Sequence, residues 1–234
     1  MVSSKLPPGP PLDILMIGKT GHGKSATGNS LLGVEKFVSA ADSESVTDKT
    51  SCGYAEIDGR QLKVVDTPGV CDTNTKGDDD SIDLAIRSIS DAISHCPQGF
   101  HALLLIIKFG TRMTDEERKA IALLKCVLGQ DVIKSHCVCV ITYGDNFNTE
   151  INGKKTFEEW CKSQGGFLKS VFEECNYRCV LFNNKSRDPK EKKQQIIKLV
   201  NKIDSFQTGG TRYTNSIFEF ALKERERLVS CFLL

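Results

Sequence analysis

The chain has 234 residues, with 31 Lys and Arg against 30 Asp and Glu, a length that suits one α/β domain and leaves no room for a second full one. The near-neutral balance excludes a broad electrostatic pull toward nucleic acid or an anionic membrane, so no nucleic-acid partner is expected and recognition is local. Ten cysteines are scattered through apolar stretches with no CxxC pair and no His at zinc-finger spacing. They read as reduced thiols of a cytoplasmic protein, small apolar core residues and not a disulfide scaffold or a zinc finger.

Met1 to Pro11 is a Pro-rich, flexible lead, unlike a signal peptide, and no apolar run reaches the length of a membrane span. Leu12 to Ile17 is a short apolar strand, followed by a Gly-rich turn and the helix-compatible Ser25 to Leu32. Cys52 to Ile57 and Gln61 to Val65 flank Asp58-Gly59, a dipeptide favoured in tight hairpins. Ser81 to Ser94 carries Ile82, Ala85, Ile86, Ile89 and Ile93 at helical spacing, and Ala102 to Ile107 is an uninterrupted apolar strand. Thr114 to Glu117 has capping-box form and opens a helix that Gly129 closes; His136 to Ile141 is the next strand. Phe167 to Phe172 lies in a helical region, Cys179 to Phe182 is a last strand, Pro189 introduces a helix to Ile203, and a final helix spans Tyr213 to Leu228. Alternating strands and amphipathic helices predict an α/β fold with a mainly parallel sheet covered on both faces and sites at the strand C-terminal ends. The polar, acidic Asn74 to Asp80 is the predicted mobile loop. The chain divides into the lead (1–11), one domain (12–205) and a helical extension (206–234).

Gly18-Lys19-Thr20-Gly21-His22-Gly23-Lys24-Ser25 fits GxxxxGK[ST] and sits between a strand and a helix, the context a phosphate-binding loop requires. The glycines let backbone N–H groups turn inward at a β-phosphate, and the helix N-terminus adds partial positive charge. The predicted nucleotide contact runs from Gly18 through Ala26. Lys24 would bridge β- and γ-phosphate oxygens and Ser25 would give its hydroxyl to Mg²⁺. His22 is either a phosphate contact or an ordinary exposed loop histidine. Asp66-Thr67-Pro68-Gly69, ending a strand, supplies a carboxylate for Mg²⁺ and, at Gly69, an amide suited to sensing a γ-phosphate.

Thr142-Tyr143-Gly144-Asp145 follows a buried strand, where this fold reads the base. A buried Asp145 carboxylate accepts from guanine N1–H and the exocyclic amine, and adenine would leave it unpaired, so GTP and GDP are favoured over adenine nucleotides. The usual spelling of this motif is [NT]KxD, and here Tyr143 stands in place of the lysine. Asn183-Asn184-Lys185 after the last strand is the second base loop.

Together GKTGHGKSATGNSLLG, SVTDKTSC, DTPGV, LLLIIKFGTRMTDEER, TYGD and LFNNK, spread over Leu12 to Ile203, resemble the AIG1-type, immunity-associated GTPases in the septin-like branch of P-loop GTPases. The resemblance implies a GTP switch that dimerises or oligomerises across its nucleotide sites, often in scaffolds at membranes. By the same resemblance Thr47 matches the switch threonine that meets Mg²⁺ and γ-phosphate, with Thr50 its neighbouring competitor. Asp145 and Asn184 match base-reading positions. Arg112 matches a position from which an arginine finger reaches a neighbouring subunit; the other reading of it is a solvated residue before a helix.

Val70 stands where fast switch GTPases carry a water-orienting glutamine, so intrinsic hydrolysis is expected to be slow. Cys231-Phe232-Leu233-Leu234 has C-a-a-X form, a geranylgeranylation signal if Leu234 is the natural terminus, and also reads as the end of a packed helix. Two readings stand: a slow GTPase whose nucleotide state controls self-association, and a scaffold that binds GTP and hardly hydrolyses it. An ATP-dependent kinase is disfavoured by TYGD.

Overall fold

A computed structural model describes residues 5–39, 50–69, 88–207, 210–216 and 218–220. Thr47, Val70, the Asn74 to Asp80 loop, Ile82 to Ile86, and Cys231 lie outside the described residues.

The elements are β1 (Leu12–Gly18), α1 (Lys24–Leu32), β2 (Ser51–Ile57), β3 (Arg60–Asp66), α2 (described over 88–95), β4 (Ala102–Lys108), α3 (Asp115–Leu128), α4 (Val132–His136), β5 (Cys137–Thr142), α5 (Gly144–Ile151), α6 (Phe157–Lys162), α7 (Gly166–Glu174), β6 (Cys179–Leu181) and α8 (Pro189–Asp204). The six strands run β2-β3-β1-β4-β5-β6, parallel throughout except for the β2–β3 hairpin. Asp58 and Gly59 carry φ of 52° and 83°, the left-handed pair a two-residue hairpin turn requires.

Because strand side chains alternate, the central strands divide the core into two layers. Leu15, Leu103, Leu105, Cys137, Cys139 and Ile141 face the layer that contains Ile89, Ile121 and Phe172. Ile14, Met16, Leu104, Ile106, Val138 and Val140 face the layer that contains Leu31 of α1 and Ile197 and Val200 of α8. This two-sided cover is why ALLLIIK reads as one apolar run.

Three sequence expectations change. His136 closes the short helix α4 and is not the first residue of β5. Tyr213 is not a helix start: it makes an antiparallel bridge with Phe100, and its ring stacks on Phe100 at 5.3 Å. The N-terminal lead is docked over its described part. Leu6 is buried and its N–H donates to Asp58 Oδ2 at 2.8 Å, while Arg60 Nε donates to the Pro10 carbonyl. Phe218 in the C-terminal extension is also buried, in the same layer as Phe100, so this part of the extension belongs to the core.

Candidate nucleotide site

The loop from Gly18 to Gly23 joins the central strand β1 to α1. A side chain at Gly18 would place Cβ 2.5 Å from the Ile106 carbonyl of β4, so only glycine lets the two strands approach there. Gly23, at φ 90°, caps α1 in a left-handed conformation. Lys24 is 5% exposed, and its Nζ donates to the carbonyls of Gly18 at 3.0 Å and Lys19 at 3.2 Å. The ammonium is thus held against the backbone at the start of the loop.

Ser25 Oγ donates to Asp66 Oδ2 at 2.7 Å. Asp66 is fully buried, its Oδ1 has no hydrogen-bond partner among the described residues, and burial raises its carboxyl above the ordinary range. A serine hydroxyl beside an orphaned carboxylate oxygen is a hard oxygen donor set, and these residues fit Mg²⁺. Thr67 Oγ1 donates to the Met16 carbonyl at 2.9 Å and pins the start of DTPG to β1. Thr50, the competitor of Thr47, also has a buried hydroxyl without a partner among the described residues, and the next residue, Ser51, pairs with Asp66 in register.

His22 is not the exposed loop histidine of the second reading. It is buried, with Nδ1 3.5 Å from Glu117 Oε1 of α3. Burial, with the charges of Lys24 and Lys19, lowers its pKa to about 4, so the imidazole is neutral at pH 7. Glu117 is itself fixed by the capping box, its Oε2 accepting from the Thr114 N–H at 2.8 Å. His22 therefore wedges the loop against α3.

The TYGD segment is tied to the Gly-rich loop. Thr142 Oγ1 donates to the His22 carbonyl at 2.7 Å. Tyr143, at φ 59°, donates from its hydroxyl to the Gly21 carbonyl at 3.3 Å, and the Lys108 ammonium lies 4.6 Å from its ring centre. The tyrosine thus bridges TYGD and the Gly-rich loop from the position of the missing lysine. Asn184 Nδ2 donates to Thr27 Oγ1 and its Oδ1 accepts from Ser30 Oγ, both at 2.9 Å, so α1 orients the amide. The Gly144 N–H donates to the Phe182 carbonyl and joins the two base loops.

Asp145 is not buried as expected: its side chain is 32% exposed and pairs with Lys185 Nζ at 3.1 Å. TYGD is also not wholly a loop, because Gly144 and Asp145 begin α5; Phe147 and Ile151, spaced i, i+4, were the available signal. Sequence reasoning missed the Lys185 pair and the Thr27 and Ser30 tethers, which join residues far apart in the chain. Arg112 is exposed between β4 and α3, with no hydrogen bond or ion pair among the described residues.

A sequence model of the AIG1 family matches residues 12–231. The chain belongs to the AIG1 family. Among its relatives, immune-associated nucleotide-binding protein 10 of Arabidopsis thaliana is 33% identical over 228 residues, covering 93% of this chain and 47% of that protein. Protein 9 of the same series is 34% identical, covering 93% of this chain and 63% of that protein. The chain thus spans about half to two thirds of the length of these AIG1-family relatives. In fold it is similar to Toc33 of Arabidopsis thaliana, with a TM-score of 0.57 at 16% identity over 84% of this chain and 86% of that one. Era in complex with MgGDPNP and a 16S ribosomal RNA fragment gives 0.56 at 16% identity, over 89% and 60%. The fold of this AIG1-family chain is that of P-loop GTPases.

Proposed function

We propose that this chain binds GTP and GDP with Mg²⁺ at the site between β1, β3 and β5, hydrolyses GTP slowly, and uses its nucleotide state to control self-association. The observation that carries the reading is the convergence of Lys24, Ser25 and the orphaned oxygen of Asp66 at the C-terminal ends of β1 and β3. The N-terminus of α1 and the loop amides bind the phosphates, and Lys24 moves from the loop carbonyls to β- and γ-phosphate oxygens. Ser25 and Asp66 hold Mg²⁺, which neutralises phosphate charge when bound. Asp145 accepts from guanine N1–H and the exocyclic amine, and Asn184 is oriented by its α1 tethers.

Hydrolysis is slow on this reading because Val70 cannot hydrogen-bond to an attacking water. Arg112 is exposed at the same end of the sheet and is available to a second copy. One solved relative in fold is described by the statement that dimerisation is important for the GTPase activity of the translocon components Toc33 and Toc159; a self-stimulated GTPase follows the same logic here. The second reading, a scaffold that binds GTP without turnover, also rests on Val70. Single-turnover GTPase assays across protein concentrations separate the two: a rate that climbs with concentration supports the switch, and no hydrolysis at any concentration supports the scaffold.

The proposed setting is cytoplasmic. Membrane attachment through Cys231 joins this reading only where Leu234 is the protein's own terminus, and intact mass from a eukaryotic host tests it: an unmodified mass removes the anchor.

A further inference from the structure

Three cysteines from three different elements meet in the core on one side of the sheet. Cys139 lies in β5, Cys175 caps the C-terminus of α7 and Cys179 opens β6. Their sulfurs all lie within 4.8 Å of one another, and the Sγ atoms of Cys139 and Cys175 are 3.7 Å apart. A tetrahedral zinc with sulfurs at about 2.3 Å separates those sulfurs by about 3.8 Å, so one edge already has the right length and the others need to close by no more than about 1 Å. The buried Cys161 of α6 belongs to the same core layer and offers a fourth thiol.

Arg178, the residue before Cys179, is buried, and its guanidinium donates to the carbonyls of Cys137, Ile133 and Lys134. Access exists as well, since Cys179 lines an open cavity of about 670 Å³ together with Phe147, Phe157, Leu181 and Lys198. The spacing hid the site because Cys139 lies far from Cys175 and Cys179 in the sequence, and the β5–β6 pairing sets Cys139 opposite Cys179 in register.

We propose that Cys139, Cys175 and Cys179 form a binding site for a soft d¹⁰ cation of the zinc class, held as thiolates, with Cys161 or a water as fourth ligand. Binding releases the thiol protons to solvent. The ion staples β5, β6 and α7 together three residues before Thr142 and five before Asn184, beneath both proposed base-reading loops. The site does not depend on the nucleotide reading.

The test uses the whole chain, stripped by a chelator and titrated with Zn²⁺ against a competing chromogenic chelator. One equivalent per chain is expected, with a melting temperature that rises with zinc. X-ray absorption at the zinc edge of the wild-type protein is expected to count three or four sulfur neighbours at about 2.3 Å. The double variant Cys139→Ala with Cys175→Ala is expected to lose the equivalent, and Cys126→Ala, which removes an exposed thiol, to keep it. No zinc uptake, or a shell with two sulfurs or fewer, overturns the proposal. If the double variant fails to fold, the sulfur count on the wild-type chain decides alone.

Discussion

Asp66 accepts a hydrogen bond from Ser25 Oγ at 2.7 Å through one carboxylate oxygen and leaves the other buried and without a partner among the described residues. The pair joins the end of β3 to the first turn of α1, two elements whose sequences are some forty residues apart. A buried carboxylate with one open oxygen gains most from a cation, because the cation offsets the desolvation that raises its pKa.

Asp66→Asn and Ser25→Ala should therefore weaken the Mg²⁺-dependent part of nucleotide affinity by at least about tenfold, about 1.4 kcal/mol, and spare the Mg²⁺-free part. Fluorescent nucleotide titrations with Mg²⁺ and with a chelator measure both. Equal losses in the two conditions would contradict the metal-holding role.

Asp145→Asn exchanges an acceptor pair for one acceptor and one donor. The loss of charge-assisted bonds to guanine should cost about 2–3 kcal/mol in GTP affinity. Xanthosine triphosphate, which offers an acceptor where guanine carries its amine, should bind the variant better than the wild type. Failure of that swap in competition binding would remove Asp145 from base reading.

Tyr143→Phe deletes only the 3.3 Å bond to the Gly21 carbonyl and should cost no more than about 1 kcal/mol in nucleotide affinity. Tyr143→Ala also removes the ring beside Lys108 and should cost more. Equal effects would show that the ring does not brace the two loops.

Arg112→Ala should flatten the rise of specific GTPase activity with protein concentration and leave GTP affinity intact. A mutant with the wild-type concentration dependence would place Arg112 among ordinary solvated residues.

Stability should fall as pH drops from about 6.5 to about 4. Burial, with Lys24 and Lys19, lowers His22 to about 4, and burial likewise lowers His136 to about 4. Below the unfolded value near 6.5 the unfolded chain binds protons that the native chain refuses, so the stability present above that pH is lost on the acid side. His22 alone accounts for up to about 1.4 kcal/mol per pH unit in this window. Urea unfolding of wild type and His22→Asn at several pH values checks it, and an unchanged pH slope in the variant would refute the assignment.

Arg60 is 2% exposed and forms a two-pronged bond with Asp204, both contacts at 2.7 Å, which ties the start of β3 to the end of α8.

Much of this protein was determined locally and so was legible in the sequence. The apolar runs of β1, β4 and β5, the Asp58-Gly59 turn, the Thr114 capping box and the GxxxxGK[ST] loop each follow from φ preferences, side-chain period or backbone hydrogen bonding within a few residues. The DTPG, TYGD and LFNNK segments could be placed because each follows a readable strand. Tertiary structure alone decided what depends on contacts between distant segments. It turned His22 inward against Glu117, opened Asp145 to solvent beside Lys185, hung Asn184 on Thr27 and Ser30, and gathered Cys139, Cys175 and Cys179 into one cluster. Burial and pairing set the charge state and orientation of a side chain, and both depend on which strands the sheet brings side by side.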